Sequence, residues 1–340
     1  MKGRTILLDH LGEVEAAALM VDGQLEDLLV DTPAPRPGTI YRAQADRPVK
    51  GQGGMFLKTP DGSAFLRQIK GLAPGQMILV QVSGYAEPGK AIPVTAKLLF
   101  KSRYAIVTPE APGLNISRSI RDEDTRDRLL EVAHEVAAEA PHGLILRSSC
   151  AEADAEEIAE DIAVMLGLAD RVLEDDGTEV EVLAEGDGPH VLAWRDWVAA
   201  AEVVTAEGSF DTHGVLDALE TVRGIEVPLG GGAMMYVEPT RALVAVDVNT
   251  GRDTSLAAGV KANLACARAL PRAMRLRGLG GQITLDLAPM PKKDRRGFES
   301  ALRAALRADD IETALVGWTP LGHYELQRKR ARAPLVLEER

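Results

Sequence analysis

Arg241-Ala-Leu-Val-Ala-Val-Asp247-Val-Asn249-Thr and, after a long helical stretch, Gln282-Ile-Thr-Leu-Asp286-Leu-Ala-Pro-Met290 are two apolar runs, each with a carboxylate near its end. Residues 242 to 246 and 283 to 287 are aliphatic enough to be buried strands, and residues 256 to 277 read as a helix between them. Strand, helix and strand make a βαβ unit, whose right-handed crossover sets its two strands parallel and often side by side. Asp247 and Asp286 are then expected together at the carboxyl ends of neighbouring strands, where open α/β sheets place their ligands. Two carboxylates held close in a partly buried site repel unless a proton or a cation lies between them, so a divalent metal is the economical expectation. Mg²⁺ suits the pair, because it takes oxygen ligands and often uses only one or two carboxylates plus substrate phosphate. Asn249 shares the strand face of Asp247 and would orient water or a phosphate oxygen. Taken singly, each Asp also fits an ordinary strand end that accepts hydrogen bonds from the next turn.

At 340 residues the chain exceeds one ordinary core, so two or more globular units are expected. Its 46% apolar and 26% charged content is that of a soluble globular protein. No run approaches the eighteen apolar residues of a membrane span, and the apolar part of the opening Met1-Lys-Gly-Arg-Thr-Ile-Leu-Leu-Asp is too short for a signal peptide. A cytoplasmic protein without a membrane segment is expected. Cys150 and Cys266 lack partners at metal-ligand spacing and read as small buried residues rather than a disulfide or zinc site. The histidines are scattered, none beside a Ser or Cys in a nucleophile pattern, so covalent catalysis is unsupported.

The formal charge of −12 is unevenly spread. Residues 241 to 340 hold 18 Lys plus Arg against 11 Asp plus Glu, whereas the remainder holds 21 against 40. Residues 151 to 190 carry fourteen acidic side chains and a single Arg171. Such a block is either a plain solvated face or a source of repulsion that steers polyanions toward the basic third. Within that third, Arg268, Arg272 and Arg275 fall at helical spacing, Lys292, Lys293, Arg295 and Arg296 follow Asp286, and Arg328, Lys329, Arg330 and Arg332 come near the end. Three basic clusters around one metal-bearing domain suit a phosphate-backbone track, with a solvated helix face as the other reading.

Upstream, residues 1 to 36 suggest a hairpin about Asp22-Gly23, ending in the rigid Asp31-Thr-Pro-Ala-Pro-Arg-Pro-Gly38. From 39 to about 97, short strand-like pieces separated by Gly, Pro and Lys fit a small barrel. Phe56 and Phe65 within it either fill the core or present their rings for base stacking, as barrels of the OB type do. Helices are expected around 123 to 139, 154 to 166 and 294 to 309. Gly230-Gly-Gly232 reads as a hairpin turn, since no helix with Lys or Ser/Thr opens after it.

These residues resemble the ribonuclease E/G family. The likeness is closest in Val237-Glu-Pro-Thr-Arg-Ala-Leu-Val-Ala-Val-Asp247-Val-Asn249, Ala262-Asn-Leu264, Arg275-Leu-Arg-Gly-Leu-Gly-Gly281, Ile283-Thr-Leu-Asp286 and Leu321-Gly-His-Tyr-Glu-Leu-Gln-Arg328-Lys-Arg330. It continues more weakly through Val21-Asp-Gly-Gln, Ile40-Tyr41, Gly113-Leu-Asn-Ile-Ser-Arg118 and Gly143-Leu-Ile-Leu-Arg147-Ser148. The resemblance implies an α/β multidomain fold: a discontinuous RNase H-like part at 1–36 and 193–226, an inserted OB-fold RNA-binding barrel at 37–97, a 5′-sensor region with the acidic stretch at 98–192, and a DNase I-like catalytic domain at 227–340. It implies Mg²⁺-dependent endonucleolytic hydrolysis of single-stranded RNA, leaving 5′-phosphate and 3′-hydroxyl ends and favouring 5′-monophosphorylated substrates, in RNA processing or decay. Asp247 and Asp286 would hold the metal and Asn249 would assist. Arg147 and Ser148, with Ser102 and Ile106 on the wall, would sense the 5′-phosphate. Phe56, Phe65, Lys90, Arg118, Arg328 and Arg330 would contact RNA.

The chain departs from the family pattern in places. Pro289 stands where a further acidic residue is usual, and the stretch after Asn249 is short and lacks an acidic pair, reading Ser255-Leu-Ala-Ala-Gly-Val-Lys-Ala. A Lys common in the barrel's last loop is replaced around Gly84, and Pro271 is expected to kink its helix. The Cys-containing zinc link of the bacterial enzymes is not present before Arg340, so no zinc-linked tetramer is expected and a homodimer is left open. Two alternatives follow: an RNA-binding member of the family with little or no nuclease activity, and a Mg²⁺ phosphohydrolase for small nucleotides, which leaves the barrel and basic clusters without a use.

Overall fold

The computed structural model describes residues 3–49, 51, 53–109, 111–137 and 140–335. The chain divides into two compact units, one built from residues 1–31 and 201–340 and the other from residues 32–200. No helix among the described residues is long and apolar enough to cross a membrane.

In the discontinuous unit, the amino-terminal strands Arg4–Leu11, Val14–Val21 and Gln24–Val30 form an antiparallel meander. Two tight turns shape it, where a single hairpin was expected. The second turn is at Asp22 and Gly23, whose φ of 50° and 79° give the mirror-image turn that matches strand twist. Strand Glu202–Val204 returns from far along the chain to pair in parallel with Arg4–Leu11. Leu7, Ala18 and Leu28 of the meander pack with Phe210, Val215 and Leu219 of the two short helices that follow.

The second sheet of this unit has six strands, with Val244–Asn249 and Gly281–Asp286 parallel at its centre and antiparallel strands on both sides. Period-2 alternation sends Val244, Val246, Val248, Ile283 and Leu285 to one face, where they bury against Ala262, Cys266, Ala267 and Leu270 of helix Leu256–Leu276 and Phe298 and Leu302 of helix Arg295–Arg307. The expected βαβ unit is therefore present, with the first strand two to three residues later than read, so that Asp247 and Asn249 lie inside it. Helix Leu256–Leu276 begins at Ser255, whose hydroxyl accepts from the Ala258 N–H at 3.2 Å. It continues as one helix with Pro271 inside it. Gly230, Gly231 and Gly232 all have positive φ in the hairpin joining Glu226–Gly230 to Ala233–Pro239.

In the continuous unit, strands Ile40–Val49, Gly54–Thr59, Gly62–Leu66, Ile92–Thr95 and Met77–Val82 are hydrogen-bonded in that spatial order, and Met77–Val82 pairs back on Ile40–Val49 to close a five-stranded barrel of OB type. Tyr41, Ala43, Leu57, Ala64, Leu66 and Val80 fill it. Beyond it, a four-stranded sheet centred on Ala105–Thr108 and Gly143–Leu146 packs against helices Glu123–Ala137 and Ala155–Leu173 through Val107, Leu129, Leu144, Ile158 and Ile162. The expected end of the first helix at 139 lies outside the described residues. The second runs seven residues past its expected end, because Ile162, Leu166, Ala169 and Val172 keep the helical spacing of its buried face. About half of the acidic block is thus an amphipathic helix, which carries five of the fourteen acidic side chains.

Candidate active site

Asp247 and Asp286 are directly opposed in parallel register on neighbouring strands. Both side chains point away from the helices, to the other face of the sheet, and both are exposed rather than partly buried as expected. Asp286 keeps 69% of its side-chain surface in solvent. Around the pair, the alternation of adjacent strands brings Tyr236 opposite Asp247, Met234 opposite Asn249, and Glu238 one position away. Glu325 lies opposite Thr284 on the far side. The His323 Nε2 approaches Asp286 Oδ1 to 3.7 Å. Glu238 and His323 were not singled out from the sequence, although both lie in the stretches that carry the family resemblance.

The electrostatics of this face are those of crowded anions. Desolvation raises the pKa of Asp247 above the usual carboxylate range, the Asp286 and then the Glu238 charge push it further, and a hydrogen bond from the Val248 backbone opposes the rise. A hard divalent cation would relieve that repulsion. Among the described residues, no group of three or more His, Cys, Asp or Glu side chains comes together to hold a metal. The two aspartates are therefore the protein ligands on offer, with water and phosphate oxygens left to complete a coordination shell.

The loop that follows Asp286 is fixed from beneath. Fully buried Asn263 donates from Nδ2 to the Ala288 carbonyl at 2.8 Å and accepts from the Ala288 N–H at 3.0 Å. One helical turn earlier, Gly259 is so close to the loop that a Cβ there would lie 2.1 Å from the Pro289 carbonyl oxygen. Pro289, the departure noted above, is thus held against a helix position that only glycine fits. Lys292, Lys293 and Arg296 follow and are exposed, while the Arg295 guanidinium stacks 4.1 Å from the Trp318 ring centroid.

Other basic side chains of this unit turn inward, which corrects the expected phosphate track. Arg328 is buried, its Nη1 2.7 Å from Asp309 Oδ2 with both side chains 1% exposed, so it presents no cation to RNA at the surface. Arg275 pairs with Asp309, Glu26 and Asp27, and Arg272 binds the Leu25 carbonyl and pairs with Glu26. Arg332 pairs with Asp27 at 2.9 Å. Of the helix stripe, Arg268 alone is solvent-exposed, and Arg330 is half-buried. The positive excess of residues 241 to 340 is therefore spent in part on acids of the amino-terminal meander and of the 309 turn.

In the barrel, Phe56 and Phe65 are register partners on strands whose alternate residues Met55, Leu57, Ala64 and Leu66 form the core. Their rings lie outside the barrel, 5.2 Å apart between centroids, with the Arg47 guanidinium 4.9 Å from the Phe56 centroid. Lys90 is exposed and paired with Glu87, and Arg118 is exposed just after strand Leu114–Ile116.

Arg147 ends strand Gly143–Leu146 with its guanidinium already engaged. Its Nη1 donates to the carbonyls of Ser102 at 2.5 Å, Arg103 at 3.2 Å and Arg195 at 3.1 Å, and its Nη2 to Asp196 Oδ1 at 2.8 Å. Lys101 and Arg195 bind the same carboxylate at 2.9 Å and 2.8 Å. Burial alone would raise the Asp196 pKa, but the hydrogen bonds and charges of Arg195 and Lys101 hold it well below the usual range. Ser148 is exposed beside Arg147, Ser102 is buried with its hydroxyl on the Asp161 carboxylate, and Ile106 is half-buried on the neighbouring strand. Sequence reading missed Asp196, Arg195 and Lys101, because they come from a short helix and a two-residue strand with no periodic signal.

The sequence profile of the Ribonuclease E/G family matches residues 100–204 and 195–331. The chain is 27% identical to Ribonuclease G of Salmonella typhimurium and to Ribonuclease G of Escherichia coli K12, in each case over 96% of this chain and 80% of the relative. It is 25% identical to Ribonuclease E of Nostoc, over 93% of this chain and 54% of that protein. With matched segments spanning well over half of its length, and the two aspartates in register at the centre of the second of them, the chain belongs to the ribonuclease E/G family.

Proposed function

We propose that this protein is an endoribonuclease of RNA processing that hydrolyses single-stranded RNA at Asp247 and Asp286. The observation that carries the reading is the opposed pair itself: two carboxylates on the solvent side of a sheet, with Asn249 on the same face and Lys292, Lys293 and Arg296 exposed just beyond. Asp247 and Asp286 would hold Mg²⁺, which would supply Lewis acidity and an activated water, and attack by water with departure of the 3′-oxygen would leave 5′-phosphate and 3′-hydroxyl ends. Asn249 orients the phosphate by hydrogen bonding, and the basic side chains hold the strand by charge. The outward rings of Phe56 and Phe65, with Lys90 and Arg118, give single-stranded RNA a stacking surface. Arg147 and Ser148 take the terminal phosphate of a 5′-monophosphorylated substrate. In this reading the barrel-bearing unit holds the RNA and its 5′ end, the six-stranded sheet is the DNase I-like catalytic part, and the meander with its helices is the RNase H-like part.

The test is a fluorescent single-stranded oligoribonucleotide incubated with pure protein in Mg²⁺ or EDTA. Short products in Mg²⁺ alone, lost in the Asp247→Asn variant while RNA retention persists, are expected. Intact but retarded RNA in both conditions would sink the nuclease reading and leave an RNA-binding protein, an outcome to which the two-carboxylate ligand set lends some weight.

A further inference from the structure

Trp194 is 52% exposed, one of three tryptophans in the chain, on the short helix Pro189–Asp196. Val191 and Val198, close by in sequence, are exposed too, at 48% and 38%, so the indole is the aromatic member of a set of apolar side chains left open in this segment. Its position is fixed from two sides. The helix is anchored by Trp197, which is 6% exposed, and Arg103 donates to the Trp194 carbonyl. The Arg103 guanidinium lies 5.2 Å from the Trp194 ring centroid and 5.8 Å from that of Tyr104, while the two rings meet edge to face at 6.5 Å. Stacked Arg and Tyr thus brace the indole in one orientation with much of its surface in solvent.

The same helix carries Arg195 and Asp196, which join Lys101 and Arg147 in the cation cluster. Arg103 links the two features directly. Its carbonyl accepts from Arg147 Nη1 at 3.2 Å, and its side chain covers Trp194. A ring able to stack a base therefore directly precedes Arg195 in a cluster where Lys101, Arg147 and Arg195 share the Asp196 carboxylate, so a phosphate held there would compete with Asp196 for these cations. That combination is the chemistry of a nucleotide, with a π-face for the base and charge for the phosphate.

We propose that Trp194, braced by Arg103 and Tyr104, is the stacking platform for the base of the RNA's 5′-terminal nucleotide, beside the phosphate-binding Arg147. The assignment rests on the 5′-phosphate reading above and adds a base-binding half to that site. Every base offers a π-face, so the platform accepts any of the four, purines more tightly than pyrimidines because of their larger area. Its contribution is affinity for a 5′ end that has a base on it, not sequence choice.

The test is fluorescence anisotropy in EDTA with three short oligoribonucleotides: one with a 5′-monophosphate and a normal first nucleotide, one with the phosphate kept but the first base removed, and one with a 5′-hydroxyl. Removing the first base is expected to weaken binding to the wild-type protein roughly fivefold or more, the size of one lost aromatic stack. Trp194→Ala should bind the normal oligonucleotide as the wild type binds the abasic one and lose nothing further on base removal, and Trp194→Phe should retain most of the effect. No base dependence in the wild type, or an equal dependence in Trp194→Ala, would overturn the proposal. So would a Trp194→Ala variant that alters self-association and leaves base dependence intact, since that marks a protein contact. Comparison of 5′-phosphate with 5′-hydroxyl reports separately: equal affinities remove the phosphate reading, whereas the coupling between Trp194 and the first base is read from the other pair. The wild-type comparison needs no variant, so it stands even where Trp194→Ala folds poorly.

Discussion

Arg328 and Asp309 form an ion pair at 2.7 Å with both side chains 1% exposed, and the same aspartate also receives Arg275 from the long helix. Removing one partner of such a buried pair leaves an uncompensated charge in a medium that solvates it poorly. Arg328→Ala is therefore expected to destabilise the fold by roughly 3–5 kcal/mol, and Asp309→Ala by at least as much, because it leaves the buried Arg328 guanidinium without a counter-ion and takes one of three carboxylates from Arg275. Lys329→Ala, at an exposed neighbour, should shift stability by under about 1 kcal/mol. Urea midpoints separate the cases. An Arg328→Ala protein of normal stability but weakened RNA binding would return Arg328 to the RNA track.

That network also shows where sequence reading reaches its limit. Asp247 and Asp286 were legible because every step was local: alternation fixes the face, helical spacing fixes the crossover, and chain chirality fixes the parallel pairing. The Arg272 and Arg275 stripe had helical spacing too, yet its partners are Glu26 and Asp27, about 250 residues away in sequence. Spacing says which residues share a face but not what that face meets. Counting charge over residues 241 to 340 therefore overstated the positive surface available to a polyanion. Phe56 and Phe65 fall between these cases, since alternation puts them on one face but only the closed barrel says that this face is outside.

Asp196 holds Lys101, Arg147 and Arg195 together, and those cations keep its carboxyl ionised below the usual range. A carboxyl whose folded pKa is depressed contributes stability that is complete above its unfolded value and is lost as the pH falls through the folded value. Asp196→Asn should lower stability by about 2–4 kcal/mol at pH 7, where three cations are left facing a neutral amide. The gap between variant and wild type should narrow below about pH 4, the unfolded aspartate value. Denaturation series at pH 7, 5 and 3.5 check this, and a gap that stays constant with pH would refute the assignment of the carboxylate as the source.

The two faces of the barrel strands make opposite predictions for neighbouring residues. Phe56→Ala and Phe65→Ala remove outward rings and should each weaken single-stranded RNA binding by about 1–3 kcal/mol, as lost base stacking does, with little change in unfolding midpoint. Leu57→Ala, one residue along and 1% exposed, should instead cost about 2–5 kcal/mol of stability through the cavity it leaves. Gly54→Ala would force a Cβ to within 2.4 Å of the Phe65 ring, so it should weaken RNA binding by displacing that ring. RNA titrations alongside thermal melts read both quantities, and Phe variants that lose stability without losing affinity would assign the rings to packing.

Asn263 touches neither aspartate, yet it satisfies both the N–H and the carbonyl of Ala288, two residues beyond Asp286. Asn263→Leu would leave two buried backbone groups without partners, at roughly 1–3 kcal/mol each, and release the loop that follows the strand of Asp286. Gly259→Ala would push the same loop outward through Pro289. Because both act on the placement of Asp286 rather than on RNA contacts, each is expected to lower kcat by tenfold or more with KM nearly unchanged. The apparent Mg²⁺ requirement should rise in both variants. Equal losses in kcat and RNA affinity would show a general loosening of the domain, whereas normal kcat in Asn263→Leu would mean that the loop after Asp286 needs no such anchor.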